Sequence, residues 1–208
     1  MANRIVGVHE RVLECAKAEF IEKGYTDASL RNIALNANTS TTSIYTRFSD
    51  KEQLFDAVVE PAVNVLQTWF KNQQEGFHQL PADAQTSRSF DYSSTLVDTF
   101  VDYLYEYFDL FKLLITGSSG TKYAEFINDI VKIDVDYTMK FMRTTGKDAV
   151  SSGKVTTKLI HILSSAYYSG LFEIVIHDME KEEAYAYAHR LRRFFMCGWK
   201  DIFAGGDG

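Results

Sequence analysis

The stretch Ser29–Phe55, SLRNIALNANTSTTSIYTRFSDKEQLF, decides the fold. Leu30, Ile33, Ala34 and Ala37 recur at helical spacing and predict a helix with one apolar stripe, with Ser29 as its N-cap. The run Asn36-Ala37-Asn38-Thr39-Ser40 breaks that pattern. Asparagine accepts the left-handed backbone that a tight turn needs, so Asn38 is the turn residue. Ser40 can cap a third helix from Thr41 to about Phe48, with Ile44 and Phe48 facing inward. Ser49 or Asp50 can cap a fourth helix carrying Lys51, Leu54, Phe55, Val58 and Val59.

Upstream, Val12, Leu13, Ala16 and Phe20 predict a first helix over Val8–Lys23, stopped by Gly24. Three short helices, with a tight turn between the second and third, form the helix-turn-helix arrangement. With Ile44 and Phe48 inward, Thr42 and Thr46 point outward, flanked by Ser43 and Tyr45, with Arg47 at one edge. Such a short polar face suits a DNA major groove: threonine can touch a thymine methyl, and arginine suits guanine. Periodicity alone fits the solvated face of a small helical bundle equally well.

The residues in order narrow the choice. Gly24-Tyr25, Ser29, Ile33-Ala34, Ala37, Ser40, Ile44-Tyr45, Phe48, Lys51-Glu52 and Leu54-Phe55 closely resemble the N-terminal domain of the tetracycline-repressor (TetR) family over about residues 9–60. Three positions depart from the family pattern. Asn38 stands for a glycine, Thr39 for a valine, and Ala28 for a capping threonine, which leaves Ser29 to cap. The resemblance implies phosphate contacts from Tyr45 and Lys51. It implies base or backbone contacts from Ser40, Thr41, Thr42, Thr46 and Arg47, with support from Ser29 and Arg31.

The charge is awkward for a nucleic-acid binder. The 208-residue chain has a formal net charge of −6, and its first sixty residues hold nine acidic against seven basic side chains. No acid lies between Ala28 and Ser49, however, while Arg31 and Arg47 do. Attraction to DNA must therefore be local. Cys15 and Cys197 lack metal-ligand spacing and are expected as reduced, buried thiols. The start carries no signal-peptide pattern, so a cytoplasmic setting is expected.

Only two prolines, Pro61 and Pro81, interrupt the chain, which favours long helices. The fourth helix is expected to run past a kink at Pro61 to about residue 75, followed by a polar loop over 76–91. Four further helices are expected: Ser93–Leu114, Thr121–Thr144, Thr156–His177 and Lys181–Phe203. Gly117–Gly120 and 146–153 are expected to separate them. The fold class is thus all-α. A helix-turn-helix domain over 1–50 is joined by helix four, about 51–75, to the rest of a helical ligand-binding and dimerisation domain over 51–208.

The helix over 156–177 is apolar nearly all round and needs cover on several sides. The helix over 181–203 has a stripe of Ala184, Ala188, Leu191, Phe195, Trp199 and Ile202. Together they suggest a homodimer through a four-helix bundle. Trp69, Phe70, Phe100, Tyr103, Tyr107, Phe111, Tyr137, Phe141, Tyr167, Tyr168 and Phe172 are candidate ligand-lining aromatics. Glu106 and Glu173 would favour a cationic ligand if they faced the same cavity. No catalytic motif, metal set or cofactor-binding motif is present, so no enzyme and no cofactor are expected. The expectation is a ligand-responsive regulator, in the family commonly a repressor, whose homodimer binds a palindromic DNA operator and is released by a small effector. The alternative is a helical protein-interaction module that keeps the motif without sequence-specific DNA binding.

Overall fold

The computed structural model describes residues 2–146 and 155–204. Among these residues nine α-helices and one 3-10 turn follow in order: α1 Ala2–Asp27, α2 Leu30–Asn36, α3 Thr41–Tyr45, α4 Lys51–His78, α5 Ala82–Glu106, α6 Phe108–Thr116, the turn Lys122–Glu125, α7 Phe126–Thr145, α8 Thr157–Ile176 and α9 Lys181–Ala204. No strand occurs among the described residues. The all-α expectation holds.

Several boundaries differ from those expected. The polar segment 76–91 is mostly helix: α4 runs through Pro61 to His78, and α5 starts at Ala82. Proline is well placed just ahead of a helix, where its missing N–H costs nothing. Gln85 closes the connection, donating from Nε2 to the His78 and Leu80 carbonyls at 3.3 and 2.8 Å. The helix expected over 93–114 is instead two, broken at Tyr107, which has φ −124° and ψ 34°. Most of the separator expected over 146–153 lies outside the described residues.

The chain packs as two units. The first holds the chain up to Val65 together with Tyr107–Phe126; the second holds Leu66–Glu106 and the described residues from Ile127 on. In the first unit, α1 packs on α2 and α6, and α2 on α3. Val12, Ala16, Phe20, Ile33, Ala37, Ile44, Leu54 and Phe55 are fully buried. In the second, α9 packs on α5 and α8. Gly170 allows α8 close to α9, since a Cβ there would meet Leu191 Cδ2 at 2.9 Å. The Tyr187 hydroxyl donates to the Gly170 carbonyl at 2.8 Å.

The thiols are not buried as expected. Cys15 is half-buried and Cys197 exposed, and both are free. Cys197 lies on the outer side of α9, beside Phe194, which is 75% exposed. By length and composition α8 could cross a membrane, but one side of it is core: Ile160, Ser164, Tyr168, Leu171, Phe172, Ile174 and Val175 are buried.

Candidate functional site

Local hydrogen bonds build the α2–α3 turn. Asn38 has φ 50°, the left-handed conformation expected of it. Thr39 N–H reaches back to the Ala34 carbonyl at 2.9 Å and Asn38 N–H to the Leu35 carbonyl at 3.1 Å. Those two bonds are the Schellman closure of a helix C-terminus, here with asparagine in the glycine position. Ser40 Oγ then accepts from Ser43 N–H at 3.1 Å and starts α3. Asp50 Oδ1 accepts from Gln53 N–H at 2.8 Å and starts α4.

Ser29 caps α2 more weakly, accepting from Asn32 N–H at 3.4 Å. The stronger clamp is Glu19, a buried residue of α1. Its Oε1 accepts from Ser29 N–H at 3.0 Å and from Asn32 Nδ2 at 3.3 Å. A carboxylate at a helix N-terminus is favoured by the free N–H groups and the dipole there. Sequence reading missed Glu19 because its partners lie ten and thirteen residues away.

The residues expected to meet DNA fall into two sets. Arg31, Ser40, Thr42, Tyr45 and Thr46 are exposed, Tyr45 by 54%. Thr41, Arg47 and Lys51 are half-buried, as is the cap Ser29. Arg47 folds back along α3, its Nη1 donating to Ser43 O at 2.7 Å and Ser43 Oγ at 2.6 Å. Lys51 Nζ donates to the Thr26 carbonyl at 3.0 Å and lies 4.9 Å from the Tyr25 ring centre. Burial there lowers its ammonium's pKa. The exposed face also includes Asn32, Asn36 and Leu35, the last 77% exposed; none of these was among the expected contacts.

The candidate ligand aromatics do not form one group. Tyr107 and Phe111 belong to the first unit, where Phe111 is fully buried against Phe126. In the second unit Trp69 meets Tyr103 at 5.4 Å, and Phe100 meets the fully buried Phe172 at 5.6 Å between ring centres. Tyr137 stacks on His78, and Phe141 packs on Phe77. Tyr168 meets Phe70 edge-on at 5.8 Å and Tyr167 at 5.2 Å.

The expected acids do not join that aromatic set. Glu106 is exposed, and Glu173 pairs with His177 at 3.0 Å. The carboxylate beside Tyr168 is Asp134 of α7. It accepts from Ser164 Oγ at 2.7 Å and from the Tyr168 hydroxyl at 2.9 Å. Burial raises the Asp134 carboxyl above its ordinary pKa, against the opposing pull of the two hydroxyls. The folded state therefore holds this proton more tightly than the unfolded chain does. Stability contributed here falls as pH rises from the unfolded carboxylate's value of about 3.9 through the raised folded value. Asp134→Asn should remove that fall. Thermal melts across that range should show a flatter pH dependence for the variant and a higher midpoint near neutral pH. Parallel curves for the two proteins would contradict this.

Comparison with known proteins agrees with the geometry of the first unit. Residues 12–58 match the family described as bacterial regulatory proteins, tetR family. Over 103 residues the chain is 32% identical to an uncharacterized HTH-type transcriptional regulator of Haemophilus influenzae, covering 50% of this chain and 46% of that protein. The match thus spans about half the length of that relative. In fold, the chain is similar to a transcriptional regulator from Aquifex aeolicus, with a TM-score of 0.57 at 22% identity over 91% of this chain and 98% of that one. It is also similar to the regulator FadR of Bacillus subtilis, solved in complex with stearoyl-CoA, with a TM-score of 0.57 at 14% identity over 90% of this chain and 97% of that one. Residues 12–58 thus carry a helix-turn-helix domain that matches the DNA-binding domain of the tetR family.

Proposed function

We propose that this tetR-type regulator acts as a homodimeric, ligand-responsive repressor that binds a palindromic operator and leaves it when a small molecule occupies the C-terminal domain. One observation carries the reading: a capped helix-turn-helix whose outer face presents Ser40, Thr42, Tyr45 and Thr46 to solvent. Phosphate contacts go to Tyr45 and to Lys51 at the start of α4, with support from Ser29 and Arg31. Base or backbone contacts go to Ser40, Thr41, Thr42, Thr46 and Arg47. Arg47 reaches DNA after exchanging its bonds to Ser43 for bonds to a base, a swap between comparable partners. Two such heads about 34–36 Å apart meet successive major grooves.

The dimer forms through the outer faces of α8 and α9. Leu159, Ile162 and Ile176 stay exposed on α8, Ile162 by 50%, and Phe194 on α9. Residues 159, 162, 166, 169, 173 and 176 recur at steps of three and four, one side of one helix. Leu159, Ile162, Ala166 and Ile176 make that side largely apolar, with Ser169 and Glu173 between them, and such a face calls for a partner surface. The protein works in the cytoplasm, where its two free thiols persist.

Capture of genomic fragments at two salt concentrations tests the function. A regulator retains a selected subset, and its affinity falls as salt rises. Changing Thr42 and Thr46 together to alanine should weaken the selected fragment roughly 30- to 10⁴-fold, at about 1–3 kcal/mol per lost base contact. Non-selected DNA should be bound much as before. Equal retention of all fragments by both proteins would favour the protein-interaction reading, which the net charge of −6 supports.

A further inference from the structure

We propose that Thr46 selects an A·T pair in each half of the operator, touching the thymine methyl with its own methyl and rejecting guanine. The inference rests on the DNA-binding reading and names one base pair that this face recognises. Thr46 is exposed at the C-terminal end of α3, one turn after Thr42 and next to Tyr45. Its hydroxyl is already engaged: Oγ1 donates to the Thr42 carbonyl at 2.8 Å. A threonine hydroxyl holds a single proton, so no donor is left on this side chain. What remains for a base edge is the methyl and the lone pairs of Oγ1. Arg47, the next residue, also turns back on α3, with Nη1 on Ser43. A guanidinium has five N–H donors, however, and keeps others for a guanine or a phosphate.

The base edges of the major groove differ in how they meet that inventory. Thymine presents its methyl, and the adenine paired with it presents the N6 amino donor. An A·T pair therefore offers a partner to each free group of Thr46. Guanine presents only the O6 and N7 acceptors, which need the donor that Thr46 has committed. Cytosine offers its N4 donor but no methyl. Letting go of the Thr42 carbonyl to donate to guanine would exchange one hydrogen bond for another, with little net gain. A Thr46 with a purely local role would bond to Thr42 in the same way, but its methyl would meet no base.

The test uses the full chain and a synthetic duplex cut from the captured genomic fragment. Each thymine in turn is replaced by deoxyuridine, which removes the methyl and leaves the pairing unchanged. At one position in each half-site this should weaken binding roughly three- to tenfold, the worth of one buried methyl. Thr46→Ser keeps the hydroxyl and loses the methyl, and should bind the two duplexes equally at that position. Thr46→Val keeps a methyl and should still tell them apart. The Thr42 carbonyl is not stranded in that variant, because the Thr46 N–H also reaches it, at 3.0 Å. Replacing the T·A pair by C·G should cost affinity, and 5-methylcytosine in place of the cytosine should recover part of it. Deoxyuridine effects that are the same in the unaltered protein and in Thr46→Ser would overturn the proposal. So would a guanine in the selected site whose recognition is lost in Thr46→Val. Capture of no selected subset would overturn the DNA-binding reading and this one with it, whereas a selected operator indifferent to deoxyuridine would overturn this one alone.

Discussion

Replacing Phe194 by glutamate is expected to convert the protein to a monomer at micromolar concentration and to weaken the selected operator fragment by roughly 10²–10⁴-fold, the loss of avidity when two linked heads become one. Phe194 is 75% exposed on α9, and its ring touches Phe195, which turns inward against Tyr167. A carboxylate at 194 is solvated in the monomer, so the fold should change by no more than about 0.5 kcal/mol. In the dimer the same carboxylate would lose its water inside the seam, two-fold symmetry would place it there twice, and Arg190, one turn back on the same helix, offsets only part of that cost. Sedimentation equilibrium reads the first effect and fragment capture the second. A variant that stays dimeric would move the interface away from this face. A monomer with undiminished operator affinity would leave the dimer without a role in DNA binding.

Legibility in the sequence followed the range of the forces involved. The turn at Asn38, the cap at Ser40 and the inward pair Ile44 and Phe48 were all readable, because each depends on neighbours within five residues. The Glu19 clamp was not, because a carboxylate on one helix gives no sign of which N–H groups on another it will meet. Asp134 was hidden for the same reason: its partners Ser164 and Tyr168 lie thirty and thirty-four residues on. The segment 76–91 misled in the opposite way. Pro81 and a run of polar residues resemble a loop, yet Pro81 directly precedes α5, and Gln85, fully buried, bonds the α4–α5 connection rather than water. The break at Tyr107 carries no glycine or proline to announce it. On α3, that Thr42, Tyr45 and Thr46 project outward was legible. That Arg47 rests on Ser43 and Lys51 on the Thr26 carbonyl was not, because long side chains choose partners only in three dimensions.

Gly24→Ala should lower the melting midpoint by roughly 2–12 °C, for a strain of about 1–3 kcal/mol in a chain of this size. Gly24 breaks α1 with φ 71° and ψ 173°, a combination essentially confined to glycine. Space is not the obstacle, since an added Cβ would meet its nearest neighbour, the Gly117 carbonyl oxygen, at an ordinary 3.4 Å. The strain cannot be relieved locally, because the next residues are fixed. Tyr25 N–H donates to the Gly117 carbonyl at 2.7 Å, and the Tyr25 ring packs on Phe20 and Phe55. The Thr26 hydroxyl reaches the Ser119 carbonyl at 3.3 Å, while the Thr26 carbonyl holds Lys51. Rotating residue 24 to an allowed φ would pull all of these out of place, α2 after them. Asparagine, which serves at position 38 with φ 50°, should not serve here, because ψ 173° lies outside the left-handed helical region. Gly24→Asn should therefore lose as much as Gly24→Ala. A midpoint unchanged in either variant would mean that the chain relaxes around residue 24, and that the latch between the α1–α2 corner and Gly117–Ser119 is softer than its hydrogen bonds imply.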